Sequence, residues 1–187
     1  IGAQGWLGLR YPEAYGGAEA DMTTYCLLAE ELARGSLSVA AAAAMQSLMG
    51  TYFVFKFGSE ALRARYLTPA LRGDLVATFA LTEPNAGSDV ANITTRAERR
   101  GDRWVLRGTK HYISGVDEAA ALMVVARSGR TSDGSPLLSL FVVPTDAPGL
   151  VRTPLLVDIL LPDKQFELFF DDVRVPAENL VGEENKG

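Results

Sequence analysis

The spacing of hydrophobic residues changes period near residue 74, and this change constrains the fold more than any other feature of the chain. Before it, apolar residues recur every three or four positions, the spacing that lines one face of an α-helix. After it, β-branched residues alternate with polar ones, as they do in a half-buried strand. We therefore predict a helical domain at residues 1–73 and a β domain at residues 74–187, which is an α+β chain.

Three helices are predicted in the first half, bounded by capping residues and glycines: Asp21 to Gly35, Ser36 or Ser38 to Gly58, and Ser59 to Gly73. Cys26 lies on the apolar stripe of the first helix, so we expect it in the core. The second helix is apolar nearly all round, which predicts burial. Because proline lacks an N–H, the third helix is expected to break at Thr68-Pro69.

Strand-like runs follow in the second half, at 75–81, 93–99, 103–107, 109–114, 121–126, 137–143 and 166–173. Gly101-Asp102 predicts a hairpin turn, and Gly108 a second turn. No helical stretch separates the runs, so a parallel βαβ sheet is disfavoured and an antiparallel barrel or sandwich is predicted.

Charge and composition exclude several classes of function. The net charge of −5 disfavours a nucleic-acid partner, because phosphate contact needs clustered Lys and Arg. A single cysteine and a single histidine, His111, leave no metal cluster. The apolar run at 39–45 is too short to span a bilayer, so no membrane span is predicted.

Two segments carry residues suited to ligand binding. In Phe79-Ala-Leu-Thr-Glu-Pro-Asn-Ala-Gly-Ser-Asp89, the N–H groups near Gly87 and the Ser88 hydroxyl can form an anion-binding nest. The alternative is a strand-to-loop turn whose polar groups satisfy the local backbone.

The second segment is Gly108-Thr-Lys-His-Tyr-Ile-Ser-Gly115. Alternation places Tyr112 and Ser114 on one face, where a planar ligand could meet a ring and a hydroxyl, and places His111 on the opposite face. The alternative is that Tyr112 packs on the sheet and Ser114 ends the strand.

Together these two segments, in this order, resemble the two sequence signatures of the acyl-CoA dehydrogenase family. Gly5-Trp-Leu-Gly-Leu with Pro12-Glu-Ala-Tyr-Gly-Gly17 resembles the family's N-terminal loop, and Phe170-Asp-Asp-Val-Arg-Val-Pro176 the end of its β domain. The resemblance covers nearly the whole chain and implies a helical domain, a middle β domain and a C-terminal helical bundle.

The cofactor that this resemblance implies is FAD, bound without a Gly-x-Gly-x-x-Gly turn. Ser88 would also lie near the CoA end of the substrate. The residues that would contact FAD are Phe79, Leu81, Thr82, Gly87, Ser88, Tyr112, Ile113 and Ser114.

The implied reaction, in fatty-acid metabolism, removes two hydrogens across Cα–Cβ of an acyl-CoA thioester. A carboxylate takes the α proton and hydride passes to the flavin. The family's catalytic Glu lies in the C-terminal bundle, beyond Gly187, so no catalytic residue is assigned; Glu83 and Asp89 match no catalytic position. Electron-transfer flavoprotein and a homo-oligomer of the full-length protein are the partners implied.

Three departures from the family pattern bear on subclass. Tyr112 stands where many members have Trp, Ser114 where many have Thr, and Ile159-Leu-Leu-Pro-Asp-Lys-Gln-Phe-Glu167 lacks the usual Arg-x-Ser-x-Thr pattern. The last of these leaves the substrate subclass open. Separately, an acyl-CoA oxidase, or another flavin oxidase of this fold, is the alternative function.

Both ends look cut, so we expect a truncated chain that is inactive alone. If the chain is complete, a non-catalytic binding or scaffold module is the alternative. Fourteen Arg against four Lys, many Ala and the lack of an export signal predict a bacterial cytoplasmic protein.

Overall fold

The computed structural model describes residues 1–157 and 164–187, and the chain forms two compact units that divide between Ala77 and Thr78. Helices make up the first unit and a β sheet the second, which confirms the predicted α+β order. The division lies four residues after the predicted boundary between 73 and 74. The departure at Ile159–Glu167 falls partly on residues 159–163, outside the described residues.

Helix α1 spans Met22–Gly35 and begins at a capping residue, because the Asp21 carboxylate accepts a hydrogen bond from the Thr24 N–H at 2.8 Å. The prediction that Cys26 lies in the core is wrong, since Cys26 is exposed and α1 contains no fully buried residue. The half-buried stripe runs through Leu28 and Leu32 instead. At 100° per residue, Cys26 lies to one side of this half-buried stripe.

Helix α2, at Leu37–Ala44, continues through a π-helical stretch, Met45–Gly50, into helix α3 at Tyr52–Phe57. The predicted burial of this second helix is only partly right, because Leu37 and Phe57, at the two ends of the helical stretch, are 65% and 54% exposed. This 21-residue stretch is long and apolar enough to cross a membrane, with a mean hydropathy of 1.3. The core helix of a globular unit can have the same length and hydropathy.

Polar side chains at the centre of that stretch favour the core-helix interpretation. Gln46 is buried, and its amide nitrogen donates to the carbonyls of Ala70 at 3.1 Å and Leu75 at 2.7 Å. Its side-chain oxygen accepts from the Ala77 N–H at 3.1 Å. A buried amide stabilises only when its hydrogen bonds are made, and here the helical unit itself makes them.

The third predicted helix is continuous, so the predicted break at Thr68-Pro69 is wrong. Ser59 caps helix α4, Glu60–Leu62, which continues as a π-helical stretch, Arg63–Leu67, into helix α5, Thr68–Arg72. The Thr68 N–H donates to the Arg63 carbonyl, five residues back. This wider turn accommodates Pro69, whose ring would clash with a carbonyl in a regular α-helix. Gly73, at φ 83°, ends the helix as predicted.

Within residues 1–157 and 164–187, eight strands form one sheet in the order β6-β7-β3-β2-β4-β5-β8, with β1 paired to β4. Along the path from β6 to β8 the neighbours are antiparallel. The exception is the pair β2 and β4, which is parallel at Arg96 and Arg127. Neither β6 nor β8 was predicted. The bounds are β1 Ala77–Ala80, β2 Arg96–Arg100, β3 Arg103–Ser114, β4 Ala121–Arg130, β5 Pro136–Pro144, β6 Leu150–Leu155, β7 Gln165–Pro176 and β8 Leu180–Val181.

The predicted hairpin at Gly101-Asp102 is confirmed, because Arg100 and Arg103 pair across a two-residue turn. The predicted turn at Gly108 is wrong. Strand β3 runs through this position, and Gly108 at φ 144° lies opposite Phe170 with a register shift beside it. A Cβ at this position would lie 2.6 Å from the Thr95 Cα, so glycine is needed for the backbone of β3 to approach the backbone at Thr95 closely.

The core of the sheet unit lies around Trp104, whose ring meets that of Phe141 edge-on with centroids 5.0 Å apart. Burial of each large side chain contributes about 1.5–3 kcal/mol. Further members of this core are Leu106, Ile113, Leu122, Val124, Val143, Phe166, Leu168, Phe170, Val173 and Val175.

Candidate cofactor-binding site

The first predicted segment follows strand β1 and closes into a tight turn. Glu83 and Ala86 exchange two backbone hydrogen bonds, with N···O distances of 2.9 and 3.1 Å, around Pro84-Asn85. Gly87 and Ser88 are exposed after it, and a Cβ on Gly87 would meet nothing within 4 Å. An incoming anion would therefore reach these main-chain groups without obstruction.

The remaining predicted residues of this segment lie before the turn. Phe79, Leu81 and Thr82 are half-buried. The Leu81 and Thr82 carbonyls are engaged, the first by the Lys110 ammonium at 2.8 Å and the second by the His111 N–H at 2.8 Å. Among the described residues, no partner is seen for the Thr82 hydroxyl, which leaves it able to bind a ligand.

The second predicted segment is interrupted by a bulge, so the expectation of strict alternation is wrong. The register against β7 shifts between Lys110 and Ile113, and Tyr112 has a φ of 55°. The His111 and Tyr112 rings consequently meet at 4.2 Å instead of pointing to opposite faces. A bulge re-aims the side chains that follow it, which a period of two cannot anticipate.

The bulge exposes Tyr112 and buries its neighbour. The Tyr112 side chain is 57% exposed, whereas Ile113 is 2% exposed within the core of the sheet unit. Tyr112 can therefore offer its ring to a ligand, and Ile113 can offer only its main chain.

Ser114, at the end of β3, is held in position by two neighbours. Its hydroxyl oxygen accepts from the Gln165 side-chain nitrogen at 2.7 Å, and its carbonyl accepts from the Thr78 hydroxyl at 2.8 Å. Because Gln165 supplies the hydrogen in the first contact, the hydroxyl proton of Ser114 remains available for donation to a ligand.

A buried ion pair joins the two segments. The Lys110 Nζ lies 2.9 Å from the Glu83 Oε1, with side chains 0% and 2% exposed. Burial alone would raise the pKa of Glu83, but hydrogen bonds from Thr95, Lys110 and Thr94 outweigh it and hold the pKa at about 2. Burial lowers the pKa of Lys110, and Glu83 partly offsets that effect.

Neither acidic residue of the first segment is free for proton transfer. Glu83 is ionised and engaged by four donor groups. Asp89 accepts hydrogen bonds from the Ala91 N–H at 3.1 Å and the Asn92 amide at 2.9 Å. In the described part of the chain, no cluster of three metal-ligating side chains was found.

Sequence reasoning missed the Glu83–Lys110 pair and the role of Gln165. A lysine within a strand pattern predicts a solvent-exposed side chain, and a glutamate before a proline predicts a turn. No local signal therefore indicated that either side chain is buried. Pairing them across 27 residues depends on how the loop folds onto β3.

The chain thus joins a helical unit to a mostly antiparallel β unit, and in the β unit the two predicted segments meet through the hydrogen bond between Thr82 and His111. Residues 1–74 match the family model described as acyl-CoA dehydrogenase, N-terminal domain, and residues 78–173 match that of the acyl-CoA dehydrogenase middle domain. The chain belongs to the acyl-CoA dehydrogenase family, which confirms the resemblance seen in the sequence.

Individual relatives agree with that assignment. Acyl-CoA dehydrogenase FadE12 of Mycobacterium tuberculosis is 42% identical over 184 residues, which cover 98% of this chain and 47% of the relative. A structure of glutaryl-CoA dehydrogenase in complex with glutaryl-CoA is 34% identical with a TM-score of 0.91, covering 100% of this chain and 48% of that one.

A Bacillus anthracis acyl-CoA dehydrogenase solved with FAD is 32% identical with a TM-score of 0.89, covering 100% of this chain and 32% of that one. The chain spans about half the length of the curated relatives it matches.

Proposed function

We propose that this chain supplies the flavin- and acyl-CoA-contacting part of an FAD-dependent acyl-CoA dehydrogenase, which removes two hydrogens across Cα–Cβ of an acyl-CoA thioester. The observation that carries the proposal is the junction of the two segments. The Thr82 carbonyl is bonded to the N–H of His111, directly before Tyr112, so both sets of predicted contacts meet at one place in the sheet unit.

The donor set fits a flavin. Two hydroxyl groups, on Thr82 and Ser114, can reach the polar edge of a planar ring, and the exposed ring of Tyr112 can cover an aromatic surface. Gly87 and Ser88 offer an unobstructed main chain and a hydroxyl to phosphate oxygens. When bound, FAD would supply the hydride acceptor that no amino-acid side chain provides.

Each predicted residue takes one role in this proposal. Leu81 and Ile113 contribute main-chain contacts, and Phe79 contributes apolar surface beside the ring. Ser88 also lies near the CoA end of the substrate. No catalytic base is assigned within the chain, since Glu83 and Asp89 are both engaged. The chain's own task is to bind, orient and desolvate the reacting groups.

The electron acceptor distinguishes this proposal from its alternative within the same fold. We propose electron-transfer flavoprotein as the acceptor, with an acyl-CoA oxidase or another flavin oxidase of the same fold as the alternative. Reduced flavin that reacts rapidly with oxygen would favour the oxidase. Slow reaction with oxygen and fast transfer to electron-transfer flavoprotein would favour the dehydrogenase.

We also propose that the domains span residues 1–73 and 74–187, that the full-length protein forms a homo-oligomer, and that it is a bacterial cytoplasmic protein. A non-catalytic binding module that keeps the fold without the chemistry is separated from the enzyme by a single observation, which is whether the full-length protein, purified whole, reduces its flavin when given an acyl-CoA.

FAD binding tests the proposal directly. We expect Thr82→Val and Ser114→Ala each to cost about 1–3 kcal/mol of binding, or roughly 5- to 150-fold in the dissociation constant, because each leaves a flavin group unpaired. Thr153→Val and Ser132→Ala, at exposed positions of the same unit, are matched controls.

Equilibrium dialysis against FAD measures these changes, and circular dichroism checks that each variant is folded. No FAD binding by the unsubstituted chain, or equal losses in the control variants, would contradict the proposed site.

A further inference from the structure

The ion pair between Glu83 and Lys110 is buried in the sheet unit, and the proposed chemistry does not use it directly. Removing two charges from water costs several kcal/mol per ion before their attraction is counted. An apolar pair of similar volume would often be as stable. The pair therefore calls for a role beyond packing.

The two side chains of the pair hold atoms at both ends of the segment 81–95, which begins within the first predicted segment and returns to the sheet just before β2. The Lys110 ammonium donates to the Leu81 carbonyl at 2.8 Å. The Glu83 carboxylate accepts from the N–H and the hydroxyl of Thr94, both at 2.7 Å, and from the Thr95 N–H at 3.0 Å. The segment is thereby fixed at its start, near 81, and at its return to the sheet, near 94–95.

The same lysine sits at the start of the bulge in β3. His111, the next residue, donates its N–H to the Thr82 carbonyl at 2.8 Å, and the shift in register begins at Lys110. A displacement of Lys110 would consequently move both segments against each other. No apolar replacement can hold a carbonyl and two N–H groups in this way, because it offers neither donor nor acceptor.

We infer that Glu83 and Lys110 are positioning residues for the flavin, which fix the Thr82 hydroxyl against the Tyr112–Ser114 segment without touching the cofactor. This inference rests on the proposed function. It assigns the binding geometry to a pair that lies behind the contacting residues and acts through Leu81 and Thr82.

The test is the double variant Glu83→Gln/Lys110→Met, which removes both charges together and leaves no buried ion unpaired. Its matched control is Glu183→Gln/Lys186→Met, a Glu–Lys pair in the same unit with N···O 2.7 Å and side chains 72% and 68% exposed. We expect the double variant to bind FAD at least about tenfold more weakly, as losses of outer-shell partners commonly do. The absorption bands of the bound flavin should also shift, which a purely structural loss of stability would not cause.

Amide exchange gives a readout that needs no cofactor. The N–H groups of Thr94, Thr95 and His111 should exchange faster in the double variant, while the buried strands keep their protection. If the double variant does not fold, Thr94→Val removes one bond to Glu83 from an exposed position and should weaken FAD binding about threefold or more. Thr153→Val is its control.

The outcomes separate the two proposals. Normal FAD affinity and an unchanged spectrum in a folded double variant, or in Thr94→Val where the double variant does not fold, would overturn the positioning role and leave the proposed function standing. Absence of FAD binding by the unsubstituted chain would overturn both. Weaker binding with a shifted spectrum and faster exchange at Thr94 and Thr95, absent from the control, is the result expected.

Discussion

Gly108 offers the sharpest test of how the sheet unit is packed. A Cβ built on it would lie 2.5 Å from the Thr95 Oγ1 and 2.6 Å from the Thr95 Cα, closer than real Cβ contacts. Thr95 cannot yield easily. Its N–H donates to Glu83, its hydroxyl donates to the Thr109 carbonyl at 3.3 Å, and its carbonyl accepts from the Arg127 N–H at 2.8 Å.

The expected cost of Gly108→Ala has two parts. Overpacking a close contact costs about 1–3 kcal/mol. Placing a side chain at a φ of 144° adds about 1–3 kcal/mol of backbone strain. Together they predict a loss of about 2–6 kcal/mol in the free energy of unfolding, a large part of the 5–15 kcal/mol that a typical domain has.

Urea denaturation measures this loss, with Trp104 fluorescence as the probe. The chain has two tryptophans, so a Trp6→Phe background leaves only Trp104, which is buried in the sheet unit. With a slope of about 2 kcal/mol per molar urea, the midpoint should fall by roughly 1–3 M.

The control is Gly101→Ala, where φ is 65° and an added Cβ meets nothing within 4 Å. That variant should lose only about 1–2 kcal/mol, from the left-handed backbone alone. If Gly108→Ala were no less stable than Gly101→Ala, the contact between Gly108 and Thr95 would not exist as described.

The burial of Glu83 and the exposure of Cys26 each give a further prediction. Because the pKa of Glu83 is lowered from 4.5 to about 2, its contribution of about 3 kcal/mol is present above pH 4.5 and is lost as the pH falls towards 2; Glu83→Gln should flatten this slope in acid titrations of the unfolding free energy. Cys26 is exposed, so the folded chain should react with a thiol reagent as fast as the urea-unfolded chain does, and protection by more than about tenfold would contradict its placement on α1.

The sequence by itself determined the order of the two units and most of the strands. The helical spacing of apolar residues before residue 74 and their alternation after it are local properties of the sequence. A period of 3.6 places the apolar residues on one face of a helix, and a period of two places them on one face of a strand. The hairpin at Gly101-Asp102 was equally local, since a two-residue turn fixes the pairing of Arg100 with Arg103. The family followed from motifs that are contiguous in the chain.

Errors arose where the geometry of the folded chain overrode a rule applied to single residues. A proline predicts a break, but the π-helical turn at Arg63–Leu67 accommodates Pro69 within one continuous helix. A glycine predicts a turn, but Gly108 instead permits the close approach of Thr95. Cys26 fits the apolar stripe, and only the packing of α1 shows that Leu28 and Leu32 face inward.

For the candidate site too, the sequence indicated some features and only the tertiary structure showed the others. Its residues were proposed through the resemblance of two contiguous segments to the family's sequence signatures, and their hydroxyl groups, ring and glycine loop are chemically compatible with that proposal. The tertiary structure alone decided that a bulge exposes Tyr112 while burying Ile113, and that Glu83 meets Lys110 across 27 residues. Burial of an ion pair depends on what surrounds both partners at once, and no stretch of sequence contains that information.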